Sequence, residues 1–299
     1  MKLIKYFDGH IVINLFGLMI RIKQARKITI PEPKELGIVF DSYKYPLIVS
    51  LTSFPARIWI VSKTIKTLLT QSQKPNMVIL WLAEEQFPNK ESDLPQELLD
   101  LCKYGLTIEW CKDLRSYKKI LPCLQKYPNS IIITTDDDIY YAPDTVETLY
   151  KSYLEYPNSI HAHRCDWLKS IDSDFNVTWE KTRELFLNKH IGELSYKNRL
   201  TGYGAVLYPP NCFYKDVCNY DIISKTIPTH DDVWLWAMAV LNGVKTRLVK
   251  GYTESINYVE DSQSCGLCKV NKKGVGMSLD QAYKIILNQY PQIKEIVED

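Results

Sequence analysis

Residues 129–144 read Asn-Ser-Ile-Ile-Ile-Thr-Thr-Asp-Asp-Asp-Ile-Tyr-Tyr-Ala-Pro-Asp, and they constrain the chain more than any other stretch. The β-branched run over 131–135 is patterned as a buried parallel strand. It discharges directly into Asp136, Asp137 and Asp138. Adjacent like charges repel, and burying even part of them costs several kcal/mol, roughly, unless a cation or hydrogen-bond donors compensate. At the carboxyl end of a central strand, where open α/β sheets bind ligands, a divalent metal is the natural compensator. Held by few carboxylates, such an ion takes its other ligands from substrate phosphates. An isolated Asp-Asp-Asp reads more simply as a solvated acidic turn, with Asp138 or Asp144 capping the next helix. The apolar strand before it and the motifs below favour the metal.

The chain is long enough for one large α/β domain or two small ones, at 299 residues. Hydrophobic content of 45% and charged content of 24% argue against wholesale disorder. A net charge of +2 gives no support to nucleic-acid binding. Residues 1–27 are locally basic, with Lys2, Lys5, Arg21, Lys23, Arg26 and Lys27 against Asp8. The apolar stretch 11–20 is half the length needed to span a bilayer, about twenty residues. No small-residue cleavage site follows it. Two readings stay open: an N-terminal element packed on the core, or a peripheral contact of 1–27 with an anionic membrane surface. Cys102, Cys111 and Cys123 lie among apolar neighbours and are expected in the core. Cys265 and Cys268 form a lone CxxC, weak grounds for metal or redox chemistry. Scattered cysteines suit a reducing cytoplasm.

Strand patterns over 46–52, 77–82, 106–111 and 131–135 alternate with helical ones. The first helix is expected to open at Pro55, the second to cover 95–104 and end at Gly105, and a third to cover 117–127. Another follows Pro143 and Asp144, then a strand over 159–164. This alternation predicts an α/β fold, a Rossmann-like, mostly parallel sheet with helices on both faces. Residues 166–200 lose the pattern and are expected to form an insertion or mobile loop. A strand at 205–208, a helix at 231–241, a strand at 245–249 and a terminal helix at 278–289 complete the reading. The segments are 1–45, basic and apolar, 46–250, the main domain, and 251–299, an extension packed on it.

Several further groups can carry chemistry. Asp231 and Asp232 open a helix, where acids are favoured by the dipole alone, but either can also serve as a general base. Trp234 and Trp236 follow; one can stack on a sugar while the other is core. Gly202 and Gly204 flank Tyr203 and allow close backbone approach, or else form a bulge leading into the strand. Arg115 and Lys119 can counter diphosphate charge or sit on a solvated helix start. Thr52, Ser53 and Arg57 leave the first strand in a turn able to receive a nucleotide. His161 and His163 share a strand face as core or supporting groups.

In this order and spacing the chain resembles the GT-A glycosyltransferases, especially a bacterial family-two-like group of the surface polysaccharide and lipopolysaccharide type. The resemblance is carried by 49–57, 71–82, 116–124, 131–143, 161–164, 202–210 and 231–243. It implies a nucleoside-diphosphate sugar donor, a UDP-sugar foremost, and Mn2+ or Mg2+ held by Asp138 and Asp136. It implies donor contacts from Thr52, Ser53, Arg57, Arg115, Lys119, Asp136 and Asp137. Asp232 is then the base, with Asp231 beside it, and Gly202, Tyr203, Gly204 and Trp234 line the acceptor. The acceptor hydroxyl belongs to a glycan or a lipid-linked saccharide, and a base opposite the leaving group inverts the anomeric centre. The setting is cytoplasmic, with peripheral contact at the inner face of the membrane left open. His230 is a metal ligand in some relatives of the fold. A nucleotidyltransferase is a rival, weakened because 50–57 contains no glycine. A catalytically silent glycan-binding protein is another, weakened by the two intact acidic groups.

Overall fold

The computed structural model describes residues 4–7, 10–15, 18–23, 29–41, 43–180, 189–251, 257–260, 262 and 277–298, the first three stretches as backbone only. The chain begins with β1 (Ile4–Phe7), β2 (His10–Leu15) and β3 (Leu18–Lys23), an antiparallel meander. The side chains on which a membrane contact of 1–27 depends lie outside the described residues, as do Cys265 and Cys268.

The main body is built from β4 (Leu47–Thr52), α1 (Val61–Leu68), β5 (Met77–Ala83), α2 (Gln96–Leu99), β6 (Leu106–Cys111), α3 (Leu121–Lys126) and β7 (Ile131–Thr134). Alternation sends Leu47, Val49 and Leu51 into one core layer with Val61, Ile65 and Leu68 of α1. Ile48 and Ile132 face the opposite layer with Cys123. The four strands pair in parallel in the order β7-β4-β5-β6. The chain therefore runs outward from β4 through β5 and β6, then returns to its other side as β7. That reversal makes the carboxyl ends of β4 and β7 the topological switch point, the place where ligands bind in open α/β sheets.

The rest of the chain comprises β8 (Ile139–Tyr140), α4 (Thr145–Glu155), β9 (Ile160–Ala162), β10 (Cys165–Ile171), β11 (Val177–Trp179), β12 (Leu194–Ser195), β13 (Asn198–Leu200) and β14 (Val206–Tyr208). After these come α5 (Tyr220–Thr226), α6 (Asp231–Leu241), β15 (Thr246–Leu248), β16 (Asn257–Tyr258), α7 (Leu279–Gln289) and α8 (Gln292–Glu298). The sheet has eight strands in the order β12-β15-β9-β14-β7-β4-β5-β6. Four of its seven pairings are parallel, so the fold is α/β with a mixed, mostly parallel sheet. Among the described residues the antiparallel members are β12, at the edge, and β14, whose Val206 lies opposite Thr134. The direction of β14 matters because residues 201–205 enter the sheet at the end where β7 releases its acids.

Several expectations are corrected. Residues 166–200 are not patternless: β10 pairs with β11 and β13 in a small antiparallel sheet, with 181–188 outside the described residues. The first helix opens at Val61 rather than Pro55, because the backbone closes turns at 54–60 that aim Arg57 back at the sheet. Cys102 is exposed on a short 3-10 turn that buries Leu101, and Cys111 is only half-buried; Cys123 is buried. Helix α6 is apolar all round because it is covered on every side, α7 and α8 included. A capping box, with Ser278 and Gln281 bonding each other's backbone, starts α7.

Candidate active site

The first three acids are compensated in two different ways. Ser53 Oγ donates to Asp137 Oδ2 at 2.5 Å, and Arg57 Nη1 contacts Asp137 Oδ1 at 2.6 Å. The same guanidinium reaches Asp138 Oδ2 at 3.0 Å and donates to the Ser262 carbonyl at 3.2 Å. Burial still pushes the Asp137 carboxyl upward against the pull of Arg57 and Ser53. Asp137 and Arg57 thus anchor the turn, and Thr64 Oγ1 donates to the Asp137 carbonyl at 3.0 Å. The Thr52 hydroxyl is likewise engaged, donating to the Trp81 carbonyl at 2.8 Å.

Asp136 faces outward, with 28% of its side chain exposed, and meets Lys119 Nζ at 3.0 Å. Lys119 also lies 3.0 Å from Asp231 Oδ2, an ion pair whose angle is outside hydrogen-bond geometry. This one ammonium, 8% exposed, ties the end of β7 to the start of α6. Its placement begins on β4: Ser50 Oγ donates to the Lys119 carbonyl at 2.6 Å and accepts from Trp81 Nε1 at 3.1 Å. Burial opposes the charge of Lys119, but Asp136 and Asp231 hold its pKa well above the ordinary lysine value. Lys119 is therefore a positioning cation between carboxylates.

Asp231 and Asp232 divide by environment. Asp231 accepts from Ser116 Oγ at 2.8 Å, and its pKa stays low because Lys119 and Ser116 outweigh burial. Asp232 Oδ1 accepts from the Gly202 amide at 2.8 Å, while Oδ2 lies 4.0 Å from Arg199 Nη1. Burial and the adjacent Asp231 charge push its pKa up to about 7, against the pull of Lys119 and Arg199. A partly exposed carboxyl held above the ordinary carboxylate range by burial and a neighbouring charge has the character of a general base.

Gly202 has a reason in this geometry different from ligand approach. A Cβ there would lie 2.5 Å from Lys119 Nζ and 3.1 Å from Asp232 Oδ1. Gly204 has φ +112, a conformation side chains resist. Tyr203, between them in sequence, packs its ring tilted against Tyr258 at 5.3 Å between centroids.

Other expectations fare differently. Trp234 is corrected: it is 0% exposed, and its Nε1 donates to the Val217 carbonyl at 2.9 Å, so it offers no surface to an acceptor. Trp236 is also core, donating to the Tyr196 carbonyl. An α6 covered all round leaves neither indole outside. Arg115 is exposed at φ 54, its amide bound to Asp113, with no contact to the acids among the described residues. His161 and His163 are core groups, and burial lowers both to about 4. His230 faces the Met277 carbonyl at 2.9 Å. Sequence reasoning did not find Arg199 and Asp166, cross-strand partners on β13 and β10 that form a close ion pair beside Asp232. The three residues Asn198–Leu200 are too few to show a period, so no local signal marks the pair.

The acids fit a divalent cation by charge rather than by a complete cage. Six carboxylates (Asp136, Asp137, Asp138, Asp166, Asp231, Asp232) meet three cations (Arg57, Lys119, Arg199), an excess of three negative charges when every acid is ionised. Among the described residues no group of three or more His, Cys, Asp or Glu is arranged to hold a metal by itself. Asp136, paired with Lys119, and Asp138, nearly buried and paired with Arg57, are the acids of the triplet that the metal expectation named.

No protein-family model matches the chain, and no curated protein does. Among solved structures, a mannosyltransferase from Pyrobaculum calidifontis, in complex with GDP-Man and Mn2+, aligns at 11% identity and TM-score 0.45, covering 92% of this chain and 77% of that one. Residues 1–349 of S. aureus TarS align at 12% identity and TM-score 0.48, covering 85% of this chain and 70% of that one.

Proposed function

We propose that the chain is a metal-dependent glycosyltransferase of GT-A type, moving a sugar from a nucleoside-diphosphate sugar to a hydroxyl of a saccharide or lipid-linked saccharide. The observation that carries the reading is the Lys119 bridge. It joins the strand-end acids to the helix-start acids at the switch point of the sheet. Few chemistries need a cation-binding pair and a separate carboxyl of near-neutral pKa so close together.

Asp136 and Asp138 would hold Mn2+ or Mg2+, which when bound neutralises charge developing on the departing diphosphate. Asp232 takes the proton of the acceptor hydroxyl through its partly exposed carboxylate, while the Gly202 amide fixes Oδ1. The acceptor oxygen bonds to the anomeric carbon as the bond to the diphosphate oxygen breaks and its electron pair leaves with the nucleotide. With the base opposite the leaving group, the product is inverted. Asp231 is held ionised by Lys119 and Ser116, and its charge keeps Asp232 basic. Arg57, Ser53 and Asp137 brace the acid-bearing turn.

The test is NMR-monitored turnover of UDP-, GDP- and CDP-sugars with saccharide acceptors and Mn2+. One donor is expected to be consumed, UDP-linked first, with an inverted linkage, and Asp232→Asn is expected to slow transfer about 100-fold or more. A retained linkage would remove Asp232 from the base role.

A further inference from the structure

The cations closest to the acids are already committed, and the excess of negative charge makes the site unwelcoming to an anionic substrate. Arg164 is the exception. Its guanidinium carbon lies 4.4 Å over the centroid of the Tyr203 ring, and it has no carboxylate partner among the described residues. Tyr203 in turn packs tilted against Tyr258 at 5.3 Å and 37°. The backbone locks this group to both halves of the site. The Thr201 amide donates to the Arg164 carbonyl at 3.1 Å, one residue before Gly202, which holds Asp232. On the other side β16 pairs Tyr258 with Ile139, and the Val259 amide donates to the Asp138 carbonyl at 2.8 Å.

A guanidinium held over a ring by a cation–π contact loses rotamer freedom, while its N–H groups stay available to an anion. Those groups match phosphate or carboxylate in a fork of two parallel hydrogen bonds. Beside this cluster of acids, an arginine whose partner among the described residues is a ring is placed for a charge that arrives with the substrate.

Building on the glycosyltransferase reading, we propose that Arg164, seated on Tyr203 beside Tyr258, is the substrate oxyanion site of this chain. The oxyanion comes either from the diphosphate of the donor or from an acidic acceptor, and the same guanidinium chemistry serves both.

The test is calorimetric titration of the full chain, Arg164→Met and Arg164→Lys, with and without Mn2+. The probes are inorganic pyrophosphate, UDP and GDP against uridine and guanosine, and methyl glucuronide and glucose 1-phosphate against methyl glucoside. Loss of about ten- to a hundredfold in pyrophosphate and nucleotide affinity in Arg164→Met, with nucleosides unchanged, identifies the donor's phosphates. The same loss confined to glucuronide or sugar phosphate, with methyl glucoside unchanged, identifies an acidic acceptor. Arg164→Lys keeps the charge without the fork and is expected to fall between. Anionic probes that bind wild type and Arg164→Met within twofold of each other, or bind neither, overturn the proposal. Arg164-dependent pyrophosphate binding without any nucleotide binding would keep this site and remove the nucleotide-sugar reading, so the two fail separately.

Discussion

Gly202→Ala is a one-methyl change that presses directly on the bridge between the two acidic groups. The new Cβ would start 2.5 Å from Lys119 Nζ and 3.1 Å from Asp232 Oδ1. A lysine tip normally swings aside at little cost. Here it is held at 3.0 Å by Asp136 and at 3.0 Å by Asp231, so retreat lengthens at least one ion pair. A charge-assisted contact in a buried setting is worth about 1.5–3 kcal/mol, and the partial exposure of Asp136 discounts its half. The expected destabilisation is therefore about 2 kcal/mol, read by denaturant unfolding as a lower midpoint at unchanged slope. Displaced from Asp232, Lys119 also stops favouring its ionised form, so the pH at which activity rises is expected to move alkaline. The decisive control is Lys119→Met, which removes the ammonium the methyl collides with. Measured together, the two substitutions should couple by about 1 kcal/mol or more. Wild-type stability, an unmoved pH profile, or strict additivity with Lys119→Met would refute the bridge as the reason for glycine at 202.

Further consequences follow from the same geometry. Asp232 has its pKa raised to about 7 from an ordinary 3.8, so its share of stability is present below the unfolded value and lost as pH rises through about 7. Asp232→Asn should accordingly melt higher than wild type at pH 8 and no higher at pH 4, while losing transfer activity. Equal melting shifts at both values would contradict an uncomfortable carboxylate there. In wild type, kcat/KM should climb as Asp232 deprotonates and level off above its pKa, and a flat profile from pH 5 to 8 would contradict the base role. Trp234→Phe should cost about 1–3 kcal/mol through the lost bond to Val217 and lost packing, with acceptor KM unchanged. A raised acceptor KM in a folded Trp234→Phe protein would return the indole to the acceptor surface.

The strand Ile131–Thr134 and its acids are legible in sequence because both signals are local: β-branched residues, then charges that need compensation. The start of α6 at Asp231 is legible for the same reason. What pairs with each acid is not local. Arg57 reaches acids far along the chain through a turn whose sequence reads as a helix opening. Lys119 has no marker that distinguishes it from its neighbours Arg115 and Lys118, yet it alone bridges Asp136 and Asp231. The antiparallel direction of β14 depends on its pairing with β7 and β9, distant in sequence, and short strands such as Asn198–Leu200 carry too few residues to show a period. Trp234 misled because aromatic residues beside acids suit a sugar platform and a helix core equally well; only the packing of α7 and α8 decides for the core.

The most direct measurement is calorimetric binding of UDP, GDP and CDP, each with and without Mn2+, to wild type and to Asp136→Asn. Asp136 is the partly exposed member of the acidic triplet, so its substitution leaves the Arg57-braced turn in place. One nucleotide is expected to bind only with Mn2+ and to lose about tenfold or more in affinity in the variant. Binding of none of the three by folded protein, or binding indifferent to both Mn2+ and Asp136, would contradict the glycosyltransferase reading.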